Sequence, residues 1–234
     1  MKMKVKELLW PNTCLFCGKI TPKGVCLSCA EKVDALCVRE PKCLKCGKPV
    51  RYKEQEYCYD CAHNHHYYDR GAALWLHKEP VTASVYRFKY RNQRFYARFY
   101  ASWMAAEYGA LIRRWSPEAV IPVPLYKGRR RKRGYNQAEI LTDEVGKLLG
   151  IPVLKDLVER VQNTMPQKML DNKKRKQNLR KAFAVRRRPA GIRKVLVIDD
   201  IYTTGATIDA VARVLKAAGV QKVYFLTISI GQGY

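Results

Sequence analysis

The stretch VLVIDDIYTTGAT at residues 195–207 sets two adjacent carboxylates, Asp199 and Asp200, directly behind four aliphatic residues and ahead of a small, hydroxyl-rich turn. Carboxylates accept hydrogen bonds, and vicinal sugar hydroxyls supply them. The turn Thr203, Thr204, Gly205, Ala206 and Thr207 opens a helix, so it offers backbone N–H groups, hydroxyls and a positive helix end to a phosphate. An acid pair beside a phosphate cradle describes a site for ribose 5-phosphate.

A second set of residues has the chemistry of a metal site. Eight of the nine cysteines fall into pairs separated by two residues: Cys14 and Cys17, Cys26 and Cys29, Cys43 and Cys46, Cys58 and Cys61. That spacing presents two thiolates to one ion, and Zn²⁺ takes four such ligands tetrahedrally. Gly18 and Gly47 each follow the second cysteine of a pair, where the chain must fold back over the metal. Sequential use of the pairs gives two four-cysteine ribbons. A cross-braced arrangement, first pair with third and second with fourth, is the competing connectivity. Both hold two zinc ions per chain. A redox dithiol needs one pair and leaves the repetition unexplained. Cys37 reads as a small buried hydrophobe, and His63, His65 and His66 read as exposed side chains rather than replacement ligands.

The elements that position these groups follow from hydrophobic pattern. Residues 194–198 form a continuous aliphatic strand, residues 206–218 a helix closed by Gly219, and residues 222–228 another strand. Upstream, residues 71–76 and 119–123 read as strands. Residues 135–149 read as a helix with Ile140, Leu141, Val145, Leu148 and Leu149 on one side and Gly150 as its C-cap. Residues 81–115 predict two amphipathic helices whose stripe of Tyr86, Tyr90, Phe95, Phe99 and Trp103 is core, leaving Arg87, Lys89, Arg91, Arg94 and Arg98 for phosphates. Residues 153–161 look extended and residues 163–181 read as a basic loop. Strands alternating with helices and lacking polar alternation mean an α/β fold with a parallel sheet covered on both faces. In such sheets ligands bind beyond the carboxyl ends of the strands, where Asp199 and Asp200 lie.

Charge points to a polyanion. Lys and Arg number 45 against 20 Asp and Glu, a formal net charge of +25, which favours a nucleic acid or an anionic membrane surface as partner. Six of the seven residues from 127 to 133 are basic, and a second basic cluster runs from residue 168 to 194, including Lys173, Lys174, Arg175 and Lys176. With Tyr52, Tyr57, Tyr59, Tyr67 and Tyr68 near the cysteines, the pattern suits single-stranded DNA, through backbone attraction and base stacking. The N-terminal sequence lacks a signal peptide's apolar region, and no run of eighteen apolar residues occurs, so a cytoplasmic protein is expected.

The 195–207 stretch resembles the signature of the type I phosphoribosyltransferases. More narrowly, the cysteine-pair repeats followed in order by RFKY, IPVPL, RRRKRGYNQ, NTMPQ, RKQNLRKAF and VLVIDDIYTTGAT resemble the ComF family of competence-associated proteins across nearly the whole chain. The resemblance implies a double zinc ribbon at residues 1–66 and a phosphoribosyltransferase-like domain at residues 67–234. It gives Asp199 and Asp200 to the ribose of phosphoribosyl pyrophosphate and residues 203–207 to its 5-phosphate. Residues 122–127 stand at the family's pyrophosphate loop, with Arg130, Arg133 and Gln137 as partners of the diphosphate and Mg²⁺ bridging its oxygens. Gln167, Arg175 and Asn178 match a flap that closes over the ligand. Other competence proteins, such as the DNA-uptake ATPase, and the inner face of the membrane are implied partners. The chain departs from catalytic transferases in having no recognisable hood for an acceptor. Its general-base candidates, Glu139 and Asp143, are equally well read as helix surface charge. The resemblance therefore implies a single-stranded DNA-binding accessory protein of DNA uptake that binds phosphoribosyl pyrophosphate. The alternative is an active phosphoribosyltransferase of nucleotide metabolism with a structural zinc module.

Overall fold

The structure, a computed structural model, describes residues 13–21, 24–162 and 181–232. Two short helices belong to the cysteine-rich part, α1 (Leu27–Asp34) and α2 (Tyr59–His63). The α/β part then runs β1 (Arg70–Leu76), α3 (Val81–Tyr90), α4 (Tyr96–Trp115), β2 (Ala119–Pro122), α5 (Lys127–Arg133), α6 (Gln137–Leu149), β3 (Val158–Arg160), β4 (Phe183–Val185), β5 (Lys194–Tyr202), α7 (Ala206–Ala217) and β6 (Lys222–Ile230).

Four strands form one parallel sheet in the order β1-β6-β5-β2. Period-two side-chain alternation divides them between two cores. Val195, Val197 and Phe225 face α7, the antiparallel β3–β4 ribbon and the second cysteine module. Leu196, Ile198, Leu226 and Ile228 face α3, α4, α6 and the first cysteine module. The two modules therefore sit on opposite faces of the sheet. Between them the chain crosses the β1 edge as a short antiparallel ladder, with Val38 N–H donating to Leu74 O (2.9 Å) and Leu76 N–H to Leu36 O (2.8 Å).

Several sequence expectations shift. Strand β5 continues through Asp199 and Asp200 to Tyr202, because β6 goes on pairing with it beyond the end of β2. The stretch 81–115 divides at Asn92, whose φ is +53°. The core stripe lies one position from the expected one in α4 and two in α3: Phe88, Tyr96, Tyr100, Met104 and Tyr108 are buried, Phe95, Phe99 and Trp103 are half-buried, and Tyr86 and Tyr90 are exposed. Tyrosine and phenylalanine recur on both helical faces here, so hydrophobicity alone picked the wrong one. His66 is buried rather than exposed, stacked on Tyr68 at 4.9 Å, and Tyr68 is itself buried and unavailable for stacking a base. Residues 153–161 are extended only at Val153, which bridges Val120, and in β3. Cys37 is half-buried, its thiol donating to Val33 O at 3.7 Å. Among the described residues no helix is long and apolar enough to cross a membrane.

Candidate functional site

The cysteines assemble sequentially. Cys14, Cys17, Cys26 and Cys29 form one set and Cys43, Cys46, Cys58 and Cys61 the other, with all sulfurs of a set within 4.8 Å of one another. A Zn–S bond of about 2.3 Å implies sulfur–sulfur edges of about 3.8 Å in a tetrahedron. Cys17 to Cys26 at 3.7 Å and Cys46 to Cys58 at 3.6 Å fit that edge. The turns repeat as well. Gly18 and Gly47 have φ of +78° and +76°, and each N–H donates at 2.9 Å to the carbonyl of the first cysteine of its pair. Cross-bracing is excluded by this geometry, and no histidine joins either set. Both sets have the donor chemistry and spacing of zinc sites.

The second site lies where β5 gives way to α7. Asp199 and Asp200 are 8% and 4% exposed, and they line a cleft of about 300 Å³ together with Arg133, Gln137, Thr203 and Thr207. Asp200 is gripped from two sides, by Lys89 Nζ at 2.9 Å and by Gln137 Nε2 at 2.8 Å. Asp199 Oδ1 accepts from the Asp200 N–H at 2.8 Å. Burial, then the charge of Asp200, pushes the Asp199 carboxyl up to about 8, although Lys89 and Arg160 pull against that rise. Below that value the carboxyl is neutral, so it can donate one hydrogen bond as well as accept others.

The turn at residues 203–207 is built tightly. Gly205 caps α7 at φ +75°, and a Cβ there would lie 2.5 Å from Tyr202 Oη, so only glycine fits. Thr204 Oγ1 is buried with no hydrogen-bond partner among the described residues, an acceptor–donor left open at the head of a twelve-residue helix. Beneath the turn, Tyr202 Oη meets Tyr68 Oη at 2.6 Å, and Tyr68 Oη lies 3.7 Å from Cys61 Sγ. The second cysteine set thus touches the 203–207 turn through two tyrosines. The first reaches the acid pair differently. Arg87 of α3 donates to Leu15 O at 2.8 Å and also to Phe16 O, while Lys89, two residues on, holds Asp200.

Of the expected site residues, the structure brings Asp199, Asp200, Thr203, Thr207, Arg133 and Gln137 to one cleft, with Thr204, Gly205 and Ala206 in the adjoining turn. Gln137 bonds the acid pair, and Arg133 donates to Gln137 Oε1. Arg130 turns away to Glu139 at 2.8 Å, and Arg129 lines the cleft in its place. Asp143 pairs with Lys155 at 2.7 Å on the helix surface. Gln167, Lys173, Lys174, Arg175, Lys176 and Asn178 lie outside the described residues. Of the helix cations expected to face phosphates, Lys89 instead holds Asp200 and Arg87 holds the first cysteine module, and the sequence reading did not name Arg160 as a cleft residue. Arg160, on β3, lies over the Phe183 ring at 5.3 Å, and burial followed by the neighbouring Arg129 lowers its guanidinium to about 10. Strand β3 reads Val158, Glu159, Arg160, so nothing local in the sequence sets this arginine apart from a solvated charge.

Comparison with known proteins agrees with the metal geometry. Residues 5–62 match the model of a double zinc ribbon domain. The chain is 33% identical over 218 residues to Competence protein F of Haemophilus influenzae, covering 90% of this chain and 93% of the relative. It is 28% identical to DNA utilization protein YhgH of Salmonella typhimurium, over 91% of this chain and 94% of that one. Competence protein ComFC of Streptococcus pneumoniae is 26% identical over 64% of each chain. Similarity at that level, along nearly the full length of the first relative, places the chain in the ComF family.

Proposed function

We propose that this protein is a single-stranded DNA-binding accessory factor of natural competence and DNA uptake, whose α/β domain binds phosphoribosyl pyrophosphate. The observation that carries the ligand reading is the buried Asp199–Asp200 pair at the carboxyl end of β5, next to an α7 N-terminus whose Thr204 hydroxyl has no partner among the described residues. The acids suit the ribose hydroxyls, the turn suits the 5-phosphate, and Arg129, Arg133 and Arg160 on the far wall suit a diphosphate. Mg²⁺ would travel with the diphosphate. Lys89 and Gln137 already occupy Asp200, so the protein offers that ion few free oxygens, and phosphate and water would supply most of its shell. The names of the relatives support the DNA reading, as does the charge of +25. Exposed Tyr52, Tyr57, Tyr59 and Tyr67 on the second ribbon and the solvent-facing cations of α5 offer rings and charge for a strand. The alternative, transfer to an acceptor, gains from the open side of the cleft beyond Tyr90.

A titration tests both halves. Labelled single-stranded DNA and phosphoribosyl pyrophosphate are added separately and together to the zinc-loaded protein and to Asp199→Asn/Asp200→Asn. Hydrogen bonds to charged groups contribute about 1.5–3 kcal/mol each, so the sugar ligand should weaken tens-fold or more in the double variant. DNA affinity should hold or rise, because negative charge has been removed. Equal loss of both ligands would show one site doing both jobs, and pyrophosphate release with an amine or nucleobase would favour the transferase.

A further inference from the structure

The acid-pair cleft carries more positive charge than its two carboxyls can balance. Lys89, Arg129, Arg133 and Arg160 line it against Asp199 and Asp200. Asp200 spends its charge inside the protein: Lys89 Nζ lies 2.9 Å from Oδ1, and Gln137 Nε2 donates to Oδ2 at 2.8 Å. Asp199 is buried beside it, and that burial keeps its carboxyl neutral below about 8. Near neutral pH the pair therefore presents little more than one negative charge, which Lys89 cancels. Mg²⁺ needs the opposite surroundings, one or two ionised carboxylates that share it with ligand oxygens and water. Three arginines in the same cleft would also repel it. The acid pair does not fit a divalent cation.

We infer that Lys89 takes the place of a divalent cation at the acid pair, so that the site holds the ribose 5-phosphate end of its ligand with no metal ion on the carboxyls. The inference rests on the ribose-phosphate reading above and adds the ion dependence of that site. Each Asp200 oxygen has a second lone pair beyond its present partner, so a paired Asp200 still accepts from a ribose hydroxyl. Neutral Asp199 donates one hydrogen bond and accepts others. The Lys89 ammonium has three donors, of which the pairing with Asp200 takes one. Its position is fixed from outside the cleft, because Arg87 on the same helix is anchored to Leu15 O and Phe16 O. Any Mg²⁺ on a diphosphate group then rides on the ligand's own oxygens.

Calorimetric titration of the zinc-loaded protein with ribose 5-phosphate, with and without added MgCl₂, tests this in the native chain, Lys89→Gln and Lys89→Arg. The native affinity should be the same in both buffers. Lys89→Gln removes the counter-charge of Asp200, so it should bind at least about tenfold more weakly without Mg²⁺. Adding Mg²⁺ should restore most of that loss, because the uncovered carboxylate becomes a cation site. Lys89→Arg keeps the charge and should stay indifferent to Mg²⁺. Electron paramagnetic resonance with Mn²⁺ as probe gives a second readout: Lys89→Gln should bind an additional ion that the native chain does not. Native binding that strengthens with Mg²⁺ as much as the variant's would overturn the inference and leave the sugar-phosphate reading standing. A Lys89→Gln protein that ignores Mg²⁺ and takes up no additional Mn²⁺ would overturn the role of Lys89. No binding of ribose 5-phosphate in either buffer would overturn both readings.

Discussion

Asp199 carries the largest consequence of any single side chain. Its carboxyl is pushed up to about 8 in the fold and titrates near 3.8 when unperturbed. Between those values the folded chain binds more protons than the unfolded one. The stability contributed by this group is therefore complete below about pH 4 and is lost as pH rises through 8. Melting temperature should fall across pH 5 to 8 in the native protein. In Asp199→Asn, which holds a neutral group at every pH, that slope should flatten. Calorimetric melts at four pH values decide it, and an unaltered slope in the variant would assign the pH dependence to other groups.

At the level of elements, the β5–turn–α7 junction is tied to the second cysteine set through Tyr202 and Tyr68. Gly205→Ala should show this against a matched control. Gly205 and Gly150 both cap helices at positive φ, +75° and +67°, but a Cβ at Gly150 meets nothing within 4 Å, whereas at Gly205 it meets the Tyr202 ring. Left-handed strain alone costs about 1–3 kcal/mol. Gly150→Ala should lose about that stability and keep its sugar-phosphate affinity. Gly205→Ala should lose more stability and at least tenfold in affinity, read by thermal melts and titration. Equal effects on stability would mean the Tyr202 contact is slack. This junction was legible in the sequence, because its acids, turn and helix lie within thirteen residues and its chemistry is local. The cysteine pairs were legible for the same reason, although their connectivity was not, since two-residue spacing fits either pairing. Lys89, Arg129 and Arg160 reach the cleft through helix packing and the β3–β4 ribbon, which no local pattern encodes. The aromatic helices misled because tyrosine serves both a buried face, as at Tyr100, and an exposed one, as at Tyr86.

Across the whole molecule, the two metal sites act as jaws on the β1 edge, one against each face of the sheet. Elemental analysis should find two zinc ions per chain, with Cys14→Ser and Cys43→Ser each losing about one. Chelation should unfold the ribbons and also strip β1 of its cover, so amide exchange should accelerate at Ala72 to Trp75 while Val195 to Ile198 stay protected. Retained protection in β1 would show the jaws to be independent of the sheet. The register of that same strand also bears on how the chain is made. Arg70 pairs with Tyr224 and Leu76 with Ile230, so β1 leaves the ribosome long before its sheet partner exists. A growing chain must carry the parallel edge of β1 open through the synthesis of about 150 residues. An open apolar edge is a template for wrong pairing. The early-made ribbons, already closed over metal and laddered to the opposite edge of β1 through Leu36 and Val38, can shelter that strand until β6 arrives. Zinc supplied during translation should then give more correctly paired protein than zinc supplied afterwards, read as the soluble yield of the two preparations.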